Sequence, residues 1–425
     1  MSGSHRGRAR PHGRSRSLGL NPAPRFDAVI VGAGAAGLFC AAEAGQLGLR
    51  VLLIDHAEHV AEKIRISGGG RCNFTNVETS PAQFISRNPD FCRSALARFT
   101  PRDFIDQVER HGIAWHEKHQ GQLFCDGSSQ QIIDMLLAEC AKGGVTHWQP
   151  CAVESIDGEG GRFALGTTRG AVASSRLVIA TGGLSIPKIG ASDFGYRIAR
   201  QFGHRIVETR PALVPLLWPG ADADRFAALA GVSLLVRVGA GSGPGHAEFV
   251  EDLLFTHRGL SGPAALQISS YWQPGTEIRV DLAPDADLAL MLIAAKHSSA
   301  RQTNAVLAES LPRRLVDAWL ASNPGLHERR LAECRDRDLL DLAAGLHAWR
   351  LVPSGTEGYR KAEVTAGGVD TRELDSRGCE SRRIAGLHFI GEVVDVTGWL
   401  GGYNFQWAWA SAAACARALT ALPSP

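Results

Sequence analysis

The chain has 425 residues, of which 44% are hydrophobic and 21% charged, with 45 basic against 43 acidic side chains. That length is too great for one compact core and predicts two or three, and the ordinary composition excludes a disordered, fibrous or low-complexity protein. The balanced charge makes no demand for nucleic acid and no run of 18 apolar residues occurs, so a soluble, cytoplasmic protein with neither a nucleic-acid nor a membrane partner is expected.

Residues 1–24 carry Arg6, Arg8, Arg10, Arg14 and Arg16, no acid and no hydrophobic segment of the kind a secretory signal needs, and read as a disordered basic tail. Phe26 to Val31 is a short apolar run suited to a strand buried on both faces. Gly32-Ala33-Gly34-Ala35-Ala36-Gly37 follows at once, then an alanine-rich helix from Leu38 to Leu47 that Gly48 can end. A second strand, Arg50 to Ile54, runs into Asp55. In such a unit Gly32 permits the tight turn, Gly34 lets backbone touch a pyrophosphate, and Gly37 lets the helix pack on the strand. The helix N-terminus then faces the phosphates with its positive end, and Asp55, 23 residues beyond Gly32, is placed to accept ribose hydroxyls. Strand, triplet, helix, strand and acid in order indicate a dinucleotide, without separating NAD from FAD.

Lys63 comes next, a cation for a phosphate or for a surface carboxylate. Ile66 to Asn76 reads I-S-G-G-G-R-C-N-F-T-N, a loop that can wrap a cofactor with backbone N–H groups and offer Arg71 to its phosphates. Val153–Ile156, Arg162–Thr168 and Gly170–Ala173 suggest an antiparallel meander, ending in the buried strand Leu177–Ala180. Residues 205–282 are short β-rich runs broken by Gly and Pro, and 286–345 have helical spacing with Ala, Leu and Arg. Gly239 to Gly245 imitates a second phosphate loop, but Pro244 interrupts the triplet and no helix follows, so a hairpin is expected. Gly386 to Glu392 is another buried strand, and Gly401-Gly402 opens a helix from Tyr403 to about Leu419. The nine cysteines are scattered without a Cys-x-x-Cys pair, which argues against a disulfide framework, a dithiol centre and a metal site.

The segment Ser67 to Asn76 resembles the S-G-G-G-R-C-N-x-T-N signature of the BaiN/YhiN-like bacterial NAD(P)/FAD-dependent oxidoreductases. Ala180 to Gly183, Pro211 to Leu216, Leu254 to Pro263, Val364 to Val369, Gly391 to Asp395 and Gly401 to Ala408 agree with it in order, so the resemblance covers nearly all of Phe26 to Leu419. It implies an α/β protein with a Rossmann-like FAD-binding domain built from both chain ends, around an inserted β-rich domain carrying a helical lobe. The expected boundaries are 25–191 and 351–425 for FAD binding, with the insert at 192–350, β-rich to 284 and helical from 285.

By that resemblance FAD is held noncovalently by Gly32, Gly34, Ala35, Ala36, Gly37, Asp55, Lys63, Gly70, Arg71, Cys72, Asn73, Val153, Thr181, Gly182, Gly183, Gly391, Glu392, Gly402, Tyr403 and Asn404, with NAD(P)H as a candidate electron donor. Members are associated with aminoacetone oxidation and bile-acid ring reduction. Gly378-Cys379-Glu380-Ser381-Arg382 stands where the family often has Thr-Met-Glu-Ser-Lys, so those substrates are not carried over and an unidentified small molecule is expected. The amides of Gly402, Tyr403 and Asn404 could face the flavin edge where charge develops on reduction. His257 and Tyr403 are the candidate acid–base residues, although a histidine that merely ties its loop is the more ordinary reading. Cys72 could bond the flavin covalently or simply pack as a thiol, and Trp399, Trp407 and Trp409 read as core. The competing class is a flavin-binding sensor or RNA-modification partner whose FAD is structural and does not turn over.

Overall fold

A central sheet of seven strands recruits both ends of the chain. In spatial order its strands are Leu374–Asp375, Glu380–Ser381, Leu387–Phe389, Leu177–Ile179, Ala28–Val31, Val51–Ile54 and Thr146–Trp148. The five from Leu387–Phe389 onward are parallel and wholly apolar where they are central, as strands covered on both faces must be. In this computed structural model residues 23–420 are described, apart from 160, 242–245, 299–300, 323 and 328. Nearly all of the predicted basic tail, and the tip of the Gly239–Gly245 loop, lie outside them.

The helix Ala35–Gln46 covers the sheet, and the last helix, Tyr403–Thr420, packs along that helix. Small side chains make this possible. Gly37 sits so close to the turn that a Cβ there would lie 1.7 Å from the Gly32 carbonyl oxygen, and the last helix buries an unbroken run from Gln406 to Ala416. Trp407 and Trp409 are core, as expected, and their indole N–H groups donate to the carbonyls of Gly391 (3.0 Å) and Phe74 (2.8 Å). The predicted meander is present as Val153–Glu159, Arg162–Thr167 and Gly170–Ser174, joined by Arg25–Phe26.

A second seven-stranded sheet is antiparallel throughout, in the order Trp349–Leu351, Ile278–Asp281, Ser233–Ala240, Ala247–Phe255, Gly259–Ser261, Leu216–Leu217 and Gly355–Thr356. Gly239 and Ala240 belong to one of its hairpin strands, Ser233–Ala240, which pairs with Ala247–Phe255. Helices Leu288–Ser298, Thr303–Leu307, Arg313–Leu320 and Asp336–His347 share this sheet's hydrophobic core, which centres on Trp218, Phe226, Phe255, Trp319 and Trp349. The first core is distinct and extends along the chain to Tyr196, Ile198 and Ala199. Between the two, Ile206–Ala212 pairs antiparallel with Val364–Val369, so the chain leaves and returns side by side.

Glu373 fastens that return by accepting from the Arg205 backbone N–H (2.9 Å) and from the guanidinium groups of Arg205 (3.1 Å) and Arg383 (2.6 Å). Burial alone would raise its carboxyl, but the bonds from Arg383 and Arg205 outweigh it and lower the pKa from 4.5 to about 2. Because the folded value is depressed, the stabilisation is complete above the unfolded pKa and is lost as pH falls from about 4.5 through about 2. Glu373→Gln is therefore expected to lower the midpoint of urea unfolding at pH 7 and to flatten its decline between pH 5 and 2. An unchanged acid dependence would remove Glu373 as its source.

Candidate functional site

A cleft of about 620 Å³ opens along the carboxyl ends of the central parallel strands, the position where open α/β sheets bind ligands. Its first wall is the glycine turn. Gly32 adopts φ +109, and a Cβ there would lie 2.5 Å from the Ala180 carbonyl, so only glycine fits. Gly34 is the reverse case: nothing lies within 4 Å of a Cβ placed there, because the residue faces the open cleft. The helix begins immediately afterwards, with Ala35 and Ala36 in the lining, so its N-terminal amides meet that space and favour an anion. Asp55 holds this turn as well as facing the cleft. One carboxylate oxygen accepts from the Ala33 N–H at 2.6 Å and the other from Ala57 at 2.8 Å, which leaves a lone pair on each for hydroxyl donors.

Further along, Lys63 donates to Ser185 Oγ at 2.6 Å and pairs with the Glu392 carboxylate. Glu392 also accepts from the Thr365 N–H at 2.9 Å and from Ser185 Oγ at 3.2 Å. Lys63 is thus a partner of Glu392 within the cleft, a role that sequence spacing left open between phosphate and carboxylate. Thr181, Gly182, Gly183 and Gly391 line the same stretch.

The signature loop docks the last helix. Asn76 Nδ2 donates to the Gly401 carbonyl (3.0 Å), Thr75 Oγ1 donates to Gln406 Oε1 (2.6 Å), and Asn73, with its amide turned to suit its neighbours, accepts from Gly402 N–H at 3.2 Å. Gly402 must be glycine, since a Cβ would lie 2.4 Å from the Thr75 carbonyl. Asn73, Gly402 and Asn404 face the cleft, but the Asn404 side chain is taken up by Gly398 (2.8 and 2.9 Å) and Trp399, so its fixed contribution is to shape the turn.

Several residues expected at the cofactor do not line the cleft. Gly37 faces the strand. Gly70 and Arg71 lie on the loop's outer side, and Arg71 is exposed without an acidic partner among the described residues. Cys72 is fully buried, and burial pushes its thiol far above the ordinary range, which disfavours the thiolate that a covalent bond would need. Val153 is half-buried at the start of the meander. Tyr403 is buried, its ring edge-on to Phe84 and Trp399. His257 is exposed on the Thr256–Gly259 turn, which is tied by bonds to Thr256 Oγ1 from Arg258 N–H (3.2 Å) and Gly259 N–H (3.0 Å). The turn therefore holds without the histidine.

Other residues enter the cleft that were not among the expected site residues. Gln122 and Phe124 come from the strand Gln122–Cys125, and Leu213 and Pro263 from segments beside the second sheet. Trp399 departs from its core assignment: it lines the cleft and donates its indole N–H to Tyr271 Oη at 2.7 Å. Glu363 is exposed to the cleft although protein crowds it, and its carboxyl has no hydrogen-bond partner among the described residues. Its burial raises the pKa, with Lys63 opposing. The one available signal was an acid directly before the apolar strand Val364–Val369.

Comparison with known proteins places this geometry. Residues 26–418 match the family described as HI0933-like protein Rossmann domain. The chain is 54% identical over 401 residues to the ribosomal RNA dihydrouridine synthase of Escherichia coli (strain K12), covering 94% of this chain and 99% of that protein. It is 47% identical over 400 residues to the protein of the same name from Haemophilus influenzae (92% and 98%). It is also 28% identical over 409 residues to the 3-dehydro-bile acid delta(4,6)-reductase of Clostridium scindens (93% and 99%). The first two relatives overturn the expectation of a small-molecule substrate and no nucleic-acid partner. Net charge sums over the whole surface, whereas an RNA meets only one part of it. Among the described residues no helix is long and apolar enough to cross a membrane, and no cluster of His, Cys, Asp and Glu could hold a metal.

Proposed function

We propose, on the premise that this chain belongs to the HI0933-like family of FAD-dependent Rossmann proteins, that it reduces uridine in ribosomal RNA to dihydrouridine. The observation that carries this reading is the 54% identity to a ribosomal RNA dihydrouridine synthase along 94% of the chain. The cleft suits FAD: Gly34 leaves open a cradle that any side chain would fill, the helix N-terminus faces it, and Asp55 stands beside it. Bound there, FAD would supply the hydride.

Saturating the C5–C6 bond of a uracil also requires a proton, and Glu363 is the residue we assign to hold it. Its carboxyl faces the cleft free of other bonds among the described residues, and the protein crowded around it raises its pKa. Trp399 and Phe124 offer apolar faces to an unstacked base, and a base must leave its stack to reach such a cleft. The test is to incubate the FAD-loaded protein with NAD(P)H and ribosomal RNA transcribed in vitro, then digest the RNA to nucleosides for mass spectrometry. A uridine that gains two hydrogens supports the reading, and unaltered uridine with every nicotinamide donor would sink it.

The described residues hold a single glycine-turn dinucleotide unit, so NAD(P)H and RNA would use the same cleft in turn. Initial-rate plots against RNA at several fixed NADPH concentrations are expected to be parallel, as for a ping-pong sequence. Intersecting lines would indicate a separate nicotinamide site.

A further inference from the structure

Many exposed arginines of this protein pair with a nearby acid. Arg50 pairs with Asp27, Arg93 with Asp90, Arg102 with Asp106 and Glu109, Arg197 with Asp193, and Arg335 with Asp338. The rim of the cleft differs. Ile186, Ile189 and Gly190 line the cleft, and Lys188 stands exposed among them. The N–H of Ile186 donates to the Tyr359 carbonyl at 2.8 Å, which fixes this segment against the turn Gly358–Lys361. That turn is closed by bonds from Lys361 and Ala362 N–H to the Gly358 carbonyl (3.0 Å each) and exposes Arg360 and Lys361, two residues before Glu363 enters the cleft. None of Lys188, Arg360 and Lys361 has a carboxylate within ion-pairing distance among the described residues. Neighbouring acids are already engaged, Asp193 with Arg197 and Glu357 with Arg258 (3.2 Å). Glu58, exposed on the turn after Asp55, and Glu208, exposed near Tyr359, leave the three cations in excess.

We propose that Lys188, Arg360 and Lys361 form a cationic rim that seats the phosphate backbone of single-stranded RNA on either side of the nucleotide entering the cleft. This rests on the reading of the cleft as a site for an RNA uridine. Unpaired cations beside an opening attract phosphates at no cost of breaking an existing ion pair, and phosphate contacts position a chain without reading its sequence. A net charge of +2 is compatible with this, because it sums over the whole surface while a phosphate backbone meets only one part of it.

The test measures binding of a fluorescein-labelled, mixed-sequence oligoribonucleotide to the FAD-loaded protein from about 0.05 to 1 M salt. Single-stranded contacts contribute a slope of about 0.7 per phosphate in log K against log salt, so Lys188→Ala/Arg360→Ala/Lys361→Ala should lower the slope by about 2. Affinity should fall about 100-fold at 0.1 M and converge with wild type near 1 M. A charge-matched control, Arg93→Ala/Arg102→Ala/Arg335→Ala, removes three paired arginines and should keep the wild-type slope. An unchanged FAD absorbance in both variants shows that the fold is intact. A rim variant with the wild-type slope, or a control that loses as much, overturns the proposal even where wild type reduces ribosomal RNA. RNA reduction by wild type is scored separately, so failure of the uridine reading is seen on its own.

Discussion

Gly34→Val is expected to give a folded, colourless protein. The backbone at Gly34 is extended, with φ −81 and ψ −169, a conformation that β-branched residues adopt readily, and a new Cβ would touch no protein atom within 4 Å. The added methyl groups instead occupy the space in front of the Ala35 and Ala36 amides, where a pyrophosphate must approach. Affinity for FAD should fall by on the order of 100-fold or more, as for other overpacked contacts, while the unfolding midpoint of the apoprotein stays within a few degrees. Gly37→Val provides the contrast, since its Cβ would collide with backbone and soluble protein should be lost. The measurement is FAD released on heating, per mole of purified chain. A valine variant that retains a full complement of FAD would show that the cofactor does not pass this turn.

Glu363→Gln is expected to retain FAD and to lose turnover on RNA by about 100- to 10,000-fold, the range for removal of a general acid. The substitution preserves shape and removes the proton. Reduction of the flavin by NADPH in stopped flow should proceed at the wild-type rate, because that half-reaction needs no proton at a base. Reoxidation by RNA should be slow. Burial raises the Glu363 carboxyl above its ordinary value of 4.5, so in wild type the proton is held below the raised value and RNA turnover declines as pH rises through it. In Glu363→Gln that limb should vanish. Equal slowing of both half-reactions would indicate damage to the flavin site, and an unaltered pH limb would assign the proton to another group.

These two residues also mark the reach of sequence alone. Gly34 was legible because its neighbours in sequence are its neighbours in function: strand, turn and helix are consecutive, and each glycine answers a local steric demand. The parallel strands, the meander, the last helix and the FAD family were likewise written in contiguous runs. Glu363, Gln122 and Trp399 carry no such context. They meet only when the pairing of Ile206–Ala212 with Val364–Val369, and of the signature strand with the last helix, brings distant segments to one cleft. For His257 and Arg71 residue type suggested chemistry, and the fold leaves both exposed and outside the cleft lining. The charge balance misled because it is a sum, and it cannot show that Lys188, Arg360 and Lys361 stand together beside an opening. The sequence by itself determined the dinucleotide turn and the family, because those depend on local backbone sterics. Only the tertiary structure decided which acid faces the cleft and where the unpaired charge lies, because both depend on which remote side chains fold beside them.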